Sequence, residues 1–264
     1  MLRVSRSGYY AWLNRSESSR ELYNRLILDE MKNIHRETRQ TYGSPRMTIV
    51  LNGRGFKCGV NKVARLMSFN CIRAKMERKY KPRQWRDVSS IRKPNLLKQL
   101  AGKIEPNQVW VADYTYAKIN GVYVFFSAVM DLYTRKLIGC EISKNRKYDL
   151  VTKALDQAIK AQKGLTPEIF HSDRGIEYAN HSLGNKLKEL GIKQSMSAKG
   201  NCYDNAYMES FFHTYKSEYY HHEIFESFDA FKKGTIKYIS FYNKKRLHSS
   251  LNYNTPDEYE LMVA

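Results

Sequence analysis

Three acidic residues, far apart along the chain, constrain its fold more than any other feature. Asp113 lies inside a run of β-branched and aromatic residues, Asp173 directly precedes an Arg-Gly pair, and Glu209 lies near the start of a helix-like segment. Asp113 and Asp173 are 60 positions apart, and 35 residues separate Asp173 from Glu209. An acid inside a strand is unusual, because strands disfavour aspartate and burial of a charge is unfavourable. A fold that gathers the three carboxylates around divalent cations would explain their placement.

The second half of the chain has the pattern of a mixed α/β sheet with helices packed on it. Three segments rich in β-branched and aromatic residues predict consecutive antiparallel strands at 109–116, 122–131 and 136–142. The elements predicted after them are a helix at 150–162, a strand at 168–171, a helix at 179–190, a strand at 192–195, a helix from a cap at 204 or 205 to about 219, and a final helix at 229–242 before a polar tail.

The first 75 residues predict short helices arranged like a helix-turn-helix. Ser44 is a candidate cap, Pro45 opens a helix, and Gly53 and Gly55 end it before a second helix at 62–67. A helix pair of this kind places its second helix against DNA. The basic residues predicted to contact DNA here are Arg46, Lys62 and Arg65. A generic helical bundle with basic decoration is the alternative interpretation.

The positive charge is concentrated in the first part of the chain. The net charge is +19, from 45 Lys and Arg against 26 Asp and Glu. Residues 1–100 hold 23 basic and 7 acidic residues, whereas residues 101–264 hold 22 and 19. Such asymmetry is typical of a protein that binds a polyanion, and it favours nucleic acid over a membrane surface because no amphipathic anchor accompanies the charge.

Cysteine usage and hydropathy exclude several other classes. The four cysteines form no CxxC pair and have no histidine at zinc-finger spacing, so we expect free thiols and no zinc site. The chain has neither an apolar run of signal-peptide length nor a stretch of 18 apolar residues. We therefore expect a cytoplasmic, nucleoid-associated location.

Helical spacing adds basic residues to the predicted acidic site. Glu209, His213 and Lys216 fall on one helix face, which suits an acid that binds a cation and a lysine that grips a phosphate. Arg246 and His248, in the tail, are further candidates for contact with DNA. Because every proposed ligand is an oxygen donor, the site suits Mg²⁺ or Mn²⁺, bound as two ions.

Two other residues near the predicted site have competing interpretations. Asp131 ends the second predicted strand, where a structural role is favoured over direct ligation of a cation. His171 either orients Asp173 or a water, or packs in the interior.

The embedded motifs resemble a known protein family. The three acids, their final 35-residue gap and the lysine seven positions beyond the glutamate resemble DDE transposases and retroviral integrases. More narrowly, the chain is similar to the second-reading-frame protein of bacterial insertion sequences of the IS3 family. The segments that carry this similarity are Ser5–Tyr10, Tyr42–Arg46, His171–Gly175, Ser195–Ala206, Glu209–Phe212, Arg246–His248 and Pro256.

The resemblance implies a ribonuclease H-like catalytic core that binds inverted-repeat DNA ends, cleaves them and transfers strands. The sequence patterns divide the chain into a basic helical region at 1–75, a basic linker at 76–105, the part that resembles this core at 106–225 and a C-terminal helix and tail at 226–264. The resemblance also implies fusion or association with the product of an upstream frame. A reaction that joins two ends further predicts a homo-oligomer on DNA.

The leading hypothesis is thus a polynucleotidyl transferase that acts on DNA with Asp113, Asp173 and Glu209 as its catalytic acids. Two alternatives stay open at this point. One is a ribonuclease H-like nuclease that hydrolyses and never joins, and the other is a catalytically inert DNA-binding accessory protein or repressor.

Overall fold

The computed structural model describes residues 5–75, 93–100, 104–145, 149–197 and 205–263. Contacts divide the chain into two units, Met1–Lys75 and Met76–Ala264. Within the residues described, no helix combines the length and the apolar character needed to cross a bilayer.

The described part of the first unit, residues 5–75, contains helices joined by turns and loops. Its longest helix packs against a pair of short ones through Ile27, Met31, Met47, Leu51 and Val63, all fully buried. The helices are α1 (Arg6–Leu13), α2 (Ser19–Glu37), α3 (Ser44–Gly53) and α4 (Val60–Phe69).

The start of α3 differs from the sequence-based prediction. Gly43 occupies the cap position and makes no side-chain capping bond, so Ser44 is the first helical residue rather than the cap. Pro45 lies in the first turn, as predicted, because the missing N–H of proline is not needed there.

The second unit is built on one five-stranded sheet of order β3-β2-β1-β4-β5. β1, β2 and β3 are antiparallel, whereas β1 pairs with β4 and β4 with β5 in parallel. Asn120 and Gly121, at φ 48° and 83°, form the two-residue turn between β1 and β2, for which an Asn-Gly pair is well suited. The strands are β1 (Val109–Ile119), β2 (Val122–Asp131), β3 (Leu137–Ser143), β4 (Ile169–Ser172) and β5 (Lys193–Met196).

Helices cover both faces of this sheet and create two apolar clusters. One cluster joins Trp110 and Ala112 of β1 to the helices that precede β4 and β5. The other joins Val109 and Val111 to the aromatic helices that follow β5. The helices are α5 (Asp149–Ala161), α6 (His181–Glu189), α7 (Ala206–Glu218), α8 (Phe228–Lys244) and α9 (Pro256–Val263).

Two sequence-based predictions for this unit need correction. The predicted polar tail contains the helix α9. The sequence did not predict this helix because its few apolar residues show no helical period. Part of the predicted linker belongs to the second unit, because Leu96, Leu97, Leu100 and Ile104 pack against the core of that unit. Most of the remainder, residues 76–92 and 101–103, lies outside the described residues.

Candidate active site

Asp113 and Asp173 lie near each other because they follow paired positions of two neighbouring parallel strands. Ala112 of β1 is in register with Ser172 of β4. Each aspartate is the next residue along its own strand direction, so their backbones are about 5 Å apart, the usual spacing between paired strands. Strand ends in α/β sheets are a common place for site residues.

Glu209 reaches the same region because the start of α7 is attached to β1. The side-chain Nδ2 of Asn205, which directly precedes α7, donates to the carbonyl oxygen of Ala112 at 3.3 Å. Glu209 lies in the first turn of α7 and is the most exposed of the three acids. Asn205 makes no side-chain capping bond to the helix, and Asp204, the other predicted cap, lies outside the described residues.

The three carboxylates interact electrostatically. Burial raises the pKa of Asp113 well above its usual value, and the charges of Asp173 and Glu209 raise it further. Burial also raises the pKa of Glu209, with a further increase from Asp173. Each acid therefore lies within electrostatic range of at least one of the other two.

Local hydrogen bonds fix the two aspartates. The backbone N–H of Tyr114 donates to Asp113 Oδ1 at 2.8 Å, and the backbone N–H of Gly175 donates to Asp173 Oδ1 at 2.8 Å. The second bond forms an Asx turn. It holds the carboxylate in place without removing its charge.

The donor set fits divalent metal ions. All three candidate ligands are carboxylates, which Mg²⁺ and Mn²⁺ prefer, and a cation would relieve the repulsion that raises the pKa of Asp113. Among the residues described, no three acidic, histidine or cysteine side chains already stand close enough together to hold a metal ion.

Lys216 lies deeper than its predicted role suggests. Its side chain is buried on α7, with Nζ 5.8 Å from the centre of the Tyr116 ring. Burial lowers the pKa of Lys216, while the nearby charge of Asp113 opposes that change. His213 and Glu209 are exposed. Of the three residues predicted to share one helix face, only Lys216 is buried.

Tyr178 is a site residue that sequence reasoning did not single out. It is fully buried, and the pKa of its hydroxyl is raised by burial and then by the charges of Asp113 and Asp173. Its ring lies 6.4 Å from that of Tyr114. The tyrosine therefore lies within electrostatic range of both aspartates, and no motif in the sequence signals this position.

Asp131 has the structural role that the sequence favoured. It is almost fully buried and accepts hydrogen bonds from Asn107 N, Thr134 N and Thr134 Oγ1. These bonds hold the turn between β2 and β3. His171 is also fully buried, between Ser195 Oγ at 2.8 Å and Ser197 Oγ at 3.2 Å, so it ties β4 to the end of β5.

The predicted DNA contacts at Arg246 and His248 need correction, because both side chains are buried. Arg246 donates to both carboxylate oxygens of Glu218, at 2.9 and 2.7 Å. The ring of His248 packs edge-on against Tyr242 at 4.6 Å. Sequence alone did not reveal a buried acid opposite Arg246, and this ion pair explains the arginine without any phosphate.

The basic residues predicted to contact DNA in the first unit lie on α3 and α4. The guanidinium of Arg46 is 5.6 Å from the Tyr42 ring centre, and Lys62 Nζ is 4.8 Å from that of Tyr23. Arg65 is exposed and donates to the carbonyl oxygen of Asn61 at 3.3 Å. Contact of these three cations with DNA stays a prediction.

Both units match models of known protein families. Models of two families described as integrase core domain match residues 104–202 and 190–256, and a family described as HTH-like domain matches residues 21–80. The predicted fold, a mixed five-stranded sheet with flanking helices preceded by a helix-turn-helix-like region, is thus confirmed.

Relatives align over nearly the whole chain. The insertion element IS600 uncharacterized 31 kDa protein of Shigella sonnei is 36% identical, with 99% of this chain and 98% of that protein covered. The transposase InsF for insertion sequence IS3A of Escherichia coli strain K12 is 35% identical, with 98% and 91% covered. A solved structure of the HTLV-2 integrase catalytic core domain in complex with magnesium matches at 15% identity and a TM-score of 0.44, covering 59% of this chain and 97% of that one.

Proposed function

Since this chain belongs to the IS3 family of insertion-sequence transposases, we propose that it cleaves and joins DNA with Asp113, Asp173 and Glu209 as its catalytic acids. Its function as a DNA transposase, and thus a polynucleotidyl transferase, follows from the family. The residue assignment is the proposal. The observation that supports it is the register of Ala112 with Ser172, the residues that directly precede Asp113 in β1 and Asp173 at the end of β4.

The three acids would hold Mg²⁺ or Mn²⁺, and we propose two ions. Such a pair supplies the positive charge that stabilises the attacking and leaving oxygens of a phosphodiester. The protein contributes the placement of its ligands. Asp113 is held by the backbone of Tyr114, Asp173 by the Asx turn at Gly175, and Glu209 by the attachment of α7 to β1. No separate protein base is required.

DNA would be held mainly through phosphate contacts. Exposed or half-exposed cations on α3 and α4 (Arg46, Lys62 and Arg65) lie in the HTH-like unit and would bind the element ends. Lys216 would act beside the acids, because its ammonium interacts with the charge of Asp113 and lies 5.8 Å from the centre of the Tyr116 ring.

Assembly is a separate part of the proposal. Transposition joins two element ends to a target, so two active sites must act together, and we propose a homo-oligomer on DNA. Association or fusion with the product of an upstream frame is also proposed.

The test is a joining assay with the full chain, a pre-cut end bearing a 3′-hydroxyl, and a target plasmid. We expect Asp113→Asn, Asp173→Asn and Glu209→Gln each to abolish Mg²⁺-dependent cleavage and joining while DNA binding persists. Asp156→Asn is the matched control, because Asp156 is an exposed acid on α5 whose surface ion pair with Lys186 adds little stability. Normal turnover in any of the three site variants would overturn the assignment.

The same assay separates the two alternatives from the proposal. A nuclease would cut the plasmid without joining the end, and an inert accessory protein would bind the end without either reaction. The relatives that align with nearly the whole chain include transposases, so neither alternative is favoured.

A further inference from the structure

Two tyrosines form a partly exposed aromatic pair on the β1–β2 hairpin. The rings of Tyr116 and Tyr123 are 5.6 Å apart and nearly perpendicular, at 76°. Tyr123 is 52% exposed. Lys118 Nζ lies 5.8 Å from the centre of the Tyr123 ring, and Lys216 Nζ lies 5.8 Å from that of Tyr116. We name these four residues the stacking platform.

The stacking platform lies beside the candidate active site. Tyr116 follows Asp113 by three positions in β1, about 10 Å along the strand, and the two side chains leave the strand on opposite faces because successive side chains alternate. Lys216 connects the two places, because its ammonium interacts with the charge of Asp113 and lies 5.8 Å from the centre of the Tyr116 ring. A DNA strand that runs past Lys216 from a phosphodiester held at Asp113 would therefore reach these rings.

The hairpin that carries the stacking platform is anchored to the rest of its unit. The hydroxyl of Tyr220 donates to the carbonyl oxygen of Lys118 at 3.0 Å and lies 2.9 Å from the backbone N–H of the same residue. Asn120 Nδ2 donates to the carbonyl oxygen of Glu226 at 3.1 Å. These anchors fix the aromatic pair before any ligand arrives, which reduces the entropy lost on binding.

The combination of ring faces and ammonium groups suits a nucleobase and its phosphate. Unpaired bases stack on aromatic side chains, while lysines bind the phosphates that connect them. A second tyrosine pair of this unit, Tyr133 with Tyr259, is stacked at 5.8 Å with an interplanar angle of 29° and joins the β2–β3 turn to α9. That pair packs two elements together, whereas Tyr116 and Tyr123 belong to a single hairpin and Tyr123 is half exposed.

We propose that the stacking platform holds an unpaired base at the end of the DNA substrate, one or two nucleotides from the phosphodiester bound at Asp113. This proposal rests on the proposed function, since it uses the DNA end as the ligand. Lys118, which is exposed, would contact a flanking phosphate, and the buried Lys216 would support the ring of Tyr116. The stacking platform thereby keeps the terminal bases of the DNA unpaired and positions the DNA backbone near the three acids.

The test uses the full chain and a DNA end with 2-aminopurine at the terminal unpaired positions, in Ca²⁺ so that no strand is cut. Stacking quenches 2-aminopurine fluorescence, so we expect quenching with the unaltered protein. The double variant Tyr116→Leu/Tyr123→Leu should lose the quenching and bind the end about five- to a hundredfold more weakly. The loss should persist at high salt, because stacking does not depend on counterion release.

Three controls make the result specific. The ring-retaining variant Tyr116→Phe/Tyr123→Phe should preserve quenching and affinity, which shows that leucine acts by removing the rings. Tyr133→Leu/Tyr259→Leu removes the other tyrosine pair and should leave quenching unchanged. Asp113→Asn should lose joining but keep quenching, so that failure of the catalytic assignment is distinguished from failure of the platform.

Two results would overturn the proposal. One is quenching and affinity that survive in the double leucine variant while its fold is intact by circular dichroism. The other is unchanged DNA binding accompanied by weaker self-association of the chain, which would make the surface a protein contact instead.

Discussion

At the scale of single residues, the candidate site depends on the positions of two aspartates relative to paired strands. Asp113 and Asp173 each follow a residue that is in register across β1 and β4. A shift of one residue in either strand would turn its acid to the other face of the sheet. The motifs around the acids therefore matter because they fix the strand ends and not only because they supply carboxylates.

The first prediction concerns the dependence of stability on pH without metal. Because the pKa of Asp113 is raised in the folded protein, its stabilising contribution is present below the unfolded pKa of about 4 and is lost as the pH rises through the folded value. At neutral pH, Asp113→Asn should therefore stabilise the metal-free protein, by about 1 kcal/mol or some 2–4 °C. Thermal unfolding at pH 5 and pH 8 measures this.

The difference between the two proteins should shrink at pH 5, where the carboxyl of Asp113 is more fully protonated. Added Mg²⁺ should raise the melting temperature of the unaltered chain more than that of the variant. A variant that is no more stable than the parent at pH 8 would contradict the account of this carboxyl.

The second prediction concerns the space between Gly175 and the carboxylate of Asp173. A Cβ built at Gly175 would lie 2.9 Å from Asp173 Oδ1 and 3.2 Å from Glu177 Oε2, so Gly175→Ala forces the Asp173 carboxylate to move. Because a displacement of about 1 Å in a site can reduce turnover about a hundredfold, we expect a large loss of joining with little change in stability. Joining rate and melting temperature are the measurements.

Gly184→Ala is the matched control for that change. Gly184 lies in α6 of the same unit, and its built Cβ meets only Gln194 Oε1, at an ordinary contact distance of 3.7 Å. Alanine should stabilise this helix by about 0.5–1 kcal/mol and leave joining unchanged. Equal activity in the two alanine variants would show that Asp173 does not need the room that Gly175 provides.

At the scale of elements, α7 is positioned at both ends. Asn205 attaches its start to β1, and Glu218, in its last turn, pairs with Arg246 beyond the end of α8. Tyr238 of α8 also donates to Glu218, at 3.1 Å. The helix that carries Glu209 and Lys216 is thus held by a buried polar network rather than by apolar packing alone.

The third prediction follows from that network. Arg246→Ala leaves the carboxylate of Glu218 buried and without its cation, so it should destabilise the protein by about 3–5 kcal/mol. The double variant Glu218→Leu/Arg246→Met removes both charges and should recover most of that loss. Denaturant unfolding measures both changes, and a stable Arg246→Ala protein with only a reduced salt dependence of DNA binding would restore the arginine as a DNA contact.

The order of the elements could be predicted from the sequence, but the contacts of the C-terminal part could not. Strand patterns and the Asn120-Gly121 turn are local signals, so the three antiparallel strands and the later alternation of helix and strand were predicted with boundaries close to those observed. The burial of Lys216 and Arg246 depends on partners about 100 and 28 positions away, Asp113 and Glu218. The presence of a charged residue in a sequence motif does not indicate whether its side chain contacts DNA or a buried acid.

At the scale of the whole molecule, charge and acidic chemistry are divided between the two units. The unit Met1–Lys75 matches the HTH-like family over most of its length, whereas all three candidate acids lie in Met76–Ala264. Residues 1–100 carry a net charge of +16, against +3 for the remainder. We therefore expect most of the electrostatic free energy of DNA binding to come from the first part of the chain.

The fourth prediction measures that division. Lys62→Gln and Arg65→Gln should each weaken binding to all DNA sequences and lower the slope of log affinity against log salt by about 0.9, the value for one phosphate contact. Arg25→Gln is the control, because Arg25 on α2 is an exposed cation already paired with Glu17 at 2.7 Å. If Lys62→Gln and Arg65→Gln have the same slope of log affinity against log salt as Arg25→Gln, DNA binds elsewhere on the molecule.

The most direct measurement of the central claim is anomalous scattering from Mn²⁺ in crystals of the full chain bound to a pre-cut DNA end. We predict manganese peaks in contact with carboxylate oxygens of Asp113, Asp173 and Glu209, next to the terminal phosphodiester. A DNA end bound in the crystal with manganese elsewhere, or with the three carboxylates directed away from one another, would contradict it.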